Sequence, residues 1–208
     1  MFLLYSVIMR FEQGMAVQSK LTTLCYDIQP LPKEQWQGYE LIFRYETSHY
    51  YDADIGQNNN GFCASFSKKA FTAPVSKEFA DKLYPIHWEK AQAYGILNDN
   101  ELVACLEIWR EEWSNRLRIT EFWVAEEYRR QGMGKALMDF AKQKAYEWNC
   151  RALVLETQSC NEVAIAFYLA QGLIFFGFDR SCYGNMDVEK REVRLELGMY
   201  IGGGAKEC

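Results

Sequence analysis

From residue 91 to residue 201 the apolar periodicities follow the order β-β-β-α-β-α-β-β, which restricts this part of the chain to a mixed α/β sheet. Residues 91–97 and 102–110 are rich in Tyr, Ile, Leu and Val and are separated by Asn98, Asp99 and Asn100, which predicts a hairpin. A second turn at Ser114 and Asn115 leads into a third antiparallel strand over 117–124. Over 132–148 the residues Met133, Leu137, Phe140, Ala141 and Trp148 share one helical face, with Asn149 as the stop. Residues 152–156 are a short unbroken apolar run, expected as a strand buried on both faces beside a parallel neighbour. Ser159 with Glu162, or Asn161 alone, can cap a helix that runs to Gln171 and ends at Gly172. Strands over 173–178 and 193–201 complete a mixed, mainly antiparallel twisted sheet flanked by helices.

Residues 1–90 lack this order. Pro30, Pro32, Pro74 and Pro85 all fall here and are expected to interrupt any long element, while Asn58 to Gly61 reads as an exposed turn. The stretch 46–61 carries Glu46, Asp52, Asp54, Tyr50 and Tyr51 and no Lys or Arg, and reads as an acidic, aromatic lid loop for a cationic substrate. A length of 208 residues fits one domain, with 1–90 as an N-terminal part and substrate lid and 91–201 as the core. Lys and Arg total 23 against 28 Asp and Glu, a net charge of -5 that argues against a nucleic-acid-coating surface. The seven cysteines are odd in number and form no CxxC pair, and His49 and His87 are the only histidines, so neither a disulfide scaffold nor a metal site is expected. The apolar opening run is broken by Arg10 and lacks a basic leader, and no other segment has the roughly 18 apolar residues of a membrane span. The expectation is a cytoplasmic monomer or homodimer whose partner is a small molecule, not a nucleic acid or membrane.

The chemistry concentrates in Arg129, Arg130, Gln131, Gly132, Met133, Gly134, Lys135 and Ala136, between a predicted strand and a helix start. A glycine turn there directs free backbone N–H groups and the positive end of the helix dipole to one point, which suits a diphosphate. The spacing is wrong for a Walker loop, because only Met133 separates the glycines, and for a dinucleotide fingerprint, because position 137 is Leu137.

Arg129, Gly132 and Gly134 match the loop (Arg or Gln)-x-x-Gly-x-(Gly or Ala), and Asn161, Ala164, Phe167, Tyr168 and Gly172 match a second segment, Asn-x-x-Ala-x-x-Phe-Tyr followed by Gly. In these the chain resembles the GNAT superfamily of acetyl-CoA-dependent N-acetyltransferases, over residues 91–201. Thr120, Glu121 and Val124, with the run Leu155 to Gln158 and Asn161, are most similar to the streptothricin acetyltransferases, which acetylate an amine of a cationic antibiotic. The resemblance departs at Arg130 and Leu173, and residues 1–90 are unmatched. It implies direct acetyl transfer to a primary amine, with Phe122, Trp123 and Val124 pairing with the pantetheine arm through their backbones. It also implies coenzyme contacts from residues 129–135, Asn161 and Phe167.

An ammonium must lose a proton before it attacks a thioester, and the leaving thiolate is best protonated. Glu121 is the candidate base and Tyr168, whose phenol is ordinarily protonated at neutral pH, the candidate acid. Glu46, Tyr50, Asp52, Asp54 and Glu156 are candidate substrate contacts. Acetylation of a polyamine, an aminoglycoside or a protein N-terminus, and a non-catalytic acetyl-CoA sensor, stay open at this level. Cys160 suggests a covalent route, but no histidine is placed beside it by the sequence.

Overall fold

The protein was analysed as a computed structural model that describes residues 26–202; the apolar opening run, Cys25 and Cys208 lie outside the described residues. The chain enters through a short strand, β1 (Gln29–Leu31), and one helical turn, α1 (Lys33–Trp36). Two long strands follow, β2 (Glu40–Asn58) and β3 (Gly61–Lys82), paired with each other as an antiparallel ribbon. This corrects two expectations: residues 1–90 hold the longest strands among the described residues, and 46–61 is largely strand, not loop. No residue of β3 is buried, so the alternation that announces a strand is missing. Pro74 is accommodated because the register passes from Thr47 opposite Val75 to His49 opposite Ala70, which leaves residues 71–74 outside the ladder. A residue without an N–H is tolerated in such a bulge.

The remaining strands are β4 (Gln92–Asn98), β5 (Glu101–Glu111), β6 (Arg116–Val124), β7 (Ala152–Gln158), β8 (Ile174–Asp179) and β9 (Arg194–Tyr200). With β1 they form one sheet in the order β1-β4-β5-β6-β7-β9-β8. Asp99 and Asn100 turn the β4–β5 hairpin with φ of 48° and 68°, and Asn115 turns β5 into β6 at 50°. Asn and Asp enter this left-handed region more readily than most side chains. β6 and β7 are parallel, joined by α2 (Met133–Glu147); the other pairs are antiparallel.

Met133, Leu137, Met138, Ala141 and Ala145 of α2 are buried against Leu106, Ile108, Leu117, Ile119, Leu153 and Leu155 of the sheet. The opposite sheet face carries a second core, Leu31, Leu41, Leu83, Tyr84, Ala93, Leu102 and Cys105, beneath the ribbon. α3 (Glu162–Ala170) is capped by Asn161, whose side chain accepts from the Ala164 N–H at 3.2 Å. The capping box on Ser159 does not form: its hydroxyl donates to the Arg191 carbonyl at 2.7 Å, while Glu162 pairs with His49 and Lys68 of the ribbon.

Candidate active site

The sheet opens where the parallel pair ends. β6 and β7 are in register only from Arg116 opposite Ala152 to Arg118 opposite Val154, yet β6 continues to Val124 and β7 to Gln158. Each strand stays paired on its outer side, so the facing edges lack ladder partners from one another. Phe167 of α3 lies across this opening, 5.7 Å from the Phe122 ring.

Above the opening, the chain passes through a 3₁₀ turn over Glu126–Tyr128 into the glycine loop. Arg130 has φ of 61° and Gly132 of 96°, which turns the backbone sharply before α2 begins. No side chain caps α2 and its first turn holds no acidic residue, so its leading N–H groups are available to an anion. A Cβ built on Gly134 would stand 3.4 Å from the Phe167 ring, so the loop runs close over the aromatic floor. A diphosphate-bearing coenzyme fits this geometry: an uncapped helix start, glycines that keep the surface low, and an open strand edge for an extended arm.

The basic residues of the loop divide their roles. Arg129 donates to the Val124 carbonyl at 3.1 Å and to the Arg44 carbonyl at 2.7 Å, so it ties the loop to the ribbon. Lys135 pairs with Asp139 at 2.5 Å and Arg130 is exposed. Gln131 donates to the Glu127 carbonyl at 2.9 Å and its own carbonyl accepts from Tyr26. The Met133 side chain is buried in the core, which leaves its backbone for ligand contact. Asn161 spends its oxygen on the helix cap.

Glu121 reaches the ribbon side of the sheet because of a bulge. Glu107 lies opposite Glu121 but Ile108 lies opposite Ile119, so Thr120 is the extra residue on β6. Leu117 and Ile119 before it, and Phe122 and Val124 after it, all pack on the α2 side. Glu121 and Trp123 are thereby turned to the other face, where the Trp123 indole donates to the Ile42 carbonyl at 2.9 Å. Glu121 is 8% exposed, and burial, with the carboxylates of Asp81 and Glu107 beside it, lifts its carboxyl to about 9. Tyr168 is 7% exposed, packs edge-on to Phe122, and is raised first by burial and then by the charge of Glu121. Its phenol is therefore protonated throughout the neutral range.

The proposed substrate contacts are less concentrated. Asp52 is bridged to Lys69 at 2.5 Å and to Arg191 at 2.9 Å, and Arg191 also lies over the Tyr50 ring. Glu46 and Asp54 are exposed on the ribbon, and Glu156, exposed on β7, pairs with Arg194 at 3.2 Å and accepts from Tyr183. Sequence reading missed Glu107 and Asp81. The signal for Glu107 was available: it is the one charged residue in the otherwise apolar run from Leu102 to Trp109.

A fold that parts two parallel strands beneath an uncapped helix start, with a buried carboxyl and a buried phenol nearby, suits a group-transfer enzyme that uses a diphosphate-bearing carrier. Residues 62–173, just over half of the chain, match the Acetyltransferase (GNAT) family, and the chain belongs to that family of acetyl-CoA-dependent N-acetyltransferases. A stretch of 124 residues is 28% identical to streptothricin acetyltransferase A of Bacillus subtilis (strain 168), covering 58% of this chain and 71% of that protein. The crystal structure of nourseothricin acetyltransferase superposes with a TM-score of 0.67 and 22% identity, over 85% of this chain and 99% of that one. A putative streptothricin acetyltransferase from Bacillus anthracis str. Ames, in complex with acetyl coenzyme A, gives 0.61 and 20% identity over 84% and 98%. These shares exceed residues 91–201, so the likeness in fold reaches into the N-terminal part that the motifs leave unmatched. Among the described residues no helix is long and apolar enough to cross a membrane.

Proposed function

We propose that the protein moves acetyl from acetyl-CoA directly to a primary amine of a streptothricin-type antibiotic, with Glu121 as general base and Tyr168 as general acid. The observation that carries this reading is that Glu121 and Tyr168 are both buried, with Tyr168 edge-on to Phe122 and near enough to Glu121 for its charge to act on the phenol. The streptothricin acetyltransferase of Bacillus subtilis, similar over 58% of this chain, supports the choice of amine. In this reading the chain is one acetyltransferase domain, with residues 26–90 covering the acceptor side through the ribbon.

When bound, acetyl-CoA supplies an acetyl group already activated as a thioester. The N–H groups of Met133, Gly134 and Lys135 hold its diphosphate, and the backbones of Phe122, Trp123 and Val124 hold its arm. A cationic amine is drawn to the acidic side of β6, where Glu121, Glu107 and Asp81 converge. Glu121 takes the proton that frees the nitrogen lone pair, the Tyr168 hydroxyl gives one to the departing sulfur, and the second proton that the nitrogen sheds as the amide forms restores the phenol. The Cys160 thiol is fully buried, in contact with Tyr45 and raised by desolvation, which makes it a poor nucleophile and favours direct transfer.

Thiol release measured with streptothricin, spermidine and an aminoglycoside tests the substrate. Streptothricin is expected to be turned over far faster than the others; an inert streptothricin beside an active spermidine or aminoglycoside overturns the choice of amine. Tyr168→Phe is expected to lower kcat by about 10²-fold with unchanged coenzyme affinity. An unaltered kcat would remove Tyr168 from the mechanism.

A further inference from the structure

We propose that Glu107 is a positioning residue: its buried carboxylate, set directly across the ladder from Glu121, holds a standing negative charge that keeps a proton on Glu121 until a cationic amine docks. The proposal rests on the reading of Glu121 as the base and adds a regulated protonation state to it.

The geometry supplies the argument. Glu107 and Glu121 are ladder partners at the β6 bulge, and directly opposed side chains on one face lie about 5 Å apart between Cβ atoms. Glu107 is fully buried and Glu121 nearly so, and among the described residues neither takes part in an ion pair. The arginines further along this face, Arg116 and Arg118, are bound to Glu111 and Glu196. Two carboxylates so close and so dry cannot both ionise cheaply, and one proton is shared between them.

The hydrogen bonds decide which keeps it. Burial raises Glu107 too, but it accepts from the Tyr84 N–H at 2.6 Å and from the Thr120 hydroxyl at 2.9 Å, two donors that oppose this and favour its charged form over that of Glu121. Asp81 of the ribbon hydrogen-bonds Glu121 and acts on it with Glu107, so both carboxylates hold the proton there; Glu156 of β7, Cys105 of β5 and Tyr168 of α3 also face Glu121, and none of these groups is a cation. Asp81 and His87 face Glu107. The proton therefore resides on Glu121 in the resting site. An arriving ammonium replaces it, and that proton leaves to solvent. The next proton comes from the ammonium nitrogen, so the carboxyl ends each turnover protonated, ready for the next amine. A neutral ligand brings no charge to displace the proton, which makes the pair a filter for cationic acceptors.

Carbon-13 NMR titration of the glutamate carboxyls tests this in the full chain without substrate. At pH 7 Glu121 is expected to be protonated and Glu107 ionised. In Glu107→Gln the proton affinity of Glu121 should fall at least tenfold, and the acidic limb of kcat/KM for streptothricin should move at least one pH unit lower. A limb and a Glu121 titration that stay in place, with activity lowered evenly at all pH, mean that Glu107 is only structural and overturn the proposal. If Glu107→Gln does not fold, the wild-type titration decides, since an ionised Glu121 or a protonated Glu107 at pH 7 contradicts it. Turnover by Glu121→Gln at the wild-type rate would instead refute the base assignment while leaving the measured proton sharing intact.

Discussion

Glu121→Gln is expected to reduce acetyl transfer by about 10²- to 10⁴-fold, the usual contribution of a positioned general base, while coenzyme affinity is retained. It is also expected to stabilise the fold increasingly as pH rises. In the folded protein Glu121 holds its proton up to about 9, against an ordinary value of 4.5, because burial and the neighbouring Asp81 and Glu107 disfavour its charge. Between these limits the unfolded chain has lost a proton that the folded chain keeps. Folding then takes up a proton, and stability falls as pH rises by about 1.4 kcal/mol per pH unit for one such group. The contribution is fully present below the unfolded value and is lost through the folded one. The variant removes this slope, so urea denaturation at pH 5.5, 7 and 8.5 should show a gap in its favour that widens with pH. Parallel stabilities of the two proteins across that range would mean that Glu121 is solvated and ionised in the fold, and the acid–base reading would lose its physical basis.

The sheet from β4 onward was legible because most of its elements have one buried face or two; β8, which buries no residue, was marked instead by its apolar run after Gly172. The hairpin turns are marked by Asp99, Asn100 and Asn115, which adopt the positive φ that such turns require. α2 shows its stripe because Met133, Leu137 and Ala141 all meet the sheet. The ribbon was illegible for the opposite reason: β3 buries no residue, and a strand that is wet on both faces leaves no alternation to read. The glycine loop was readable as an anion site, but its arginine was not readable as a strut, since the bonds of Arg129 end on Val124 and on Arg44, the latter 85 positions away. The side of the sheet on which Glu121 emerges depends on Thr120 being bulged, and a bulge has no periodicity. Asp52 looked free in an acidic stretch only because its partners, Lys69 and Arg191, lie outside that stretch.

Gly134→Asp is expected to weaken coenzyme binding at least 100-fold with no loss of fold stability. The residue is the second of α2, where a carboxylate is ordinarily favourable to the helix because the macrodipole is positive there. Its Cβ would meet the Phe167 ring at 3.4 Å and Phe122 at 3.8 Å, ordinary contacts that an alanine satisfies, so Gly134→Ala should bind the coenzyme nearly as well as the native protein. The family pattern of Gly or Ala at this position has the same steric meaning. Aspartate differs by its charge, which sits among the N–H groups offered to the diphosphate. Two like unit charges about 4 Å apart near a protein surface repel by about 4 kcal/mol, more than enough for the loss expected. Calorimetry with coenzyme A on both variants, together with their melting temperatures, separates the causes. Lost binding in Gly134→Asp at an unchanged melting temperature, beside retained binding in Gly134→Ala, assigns the anion to the start of α2. Equal affinity in the two would place the diphosphate elsewhere and take the proposed arm along β6 with it.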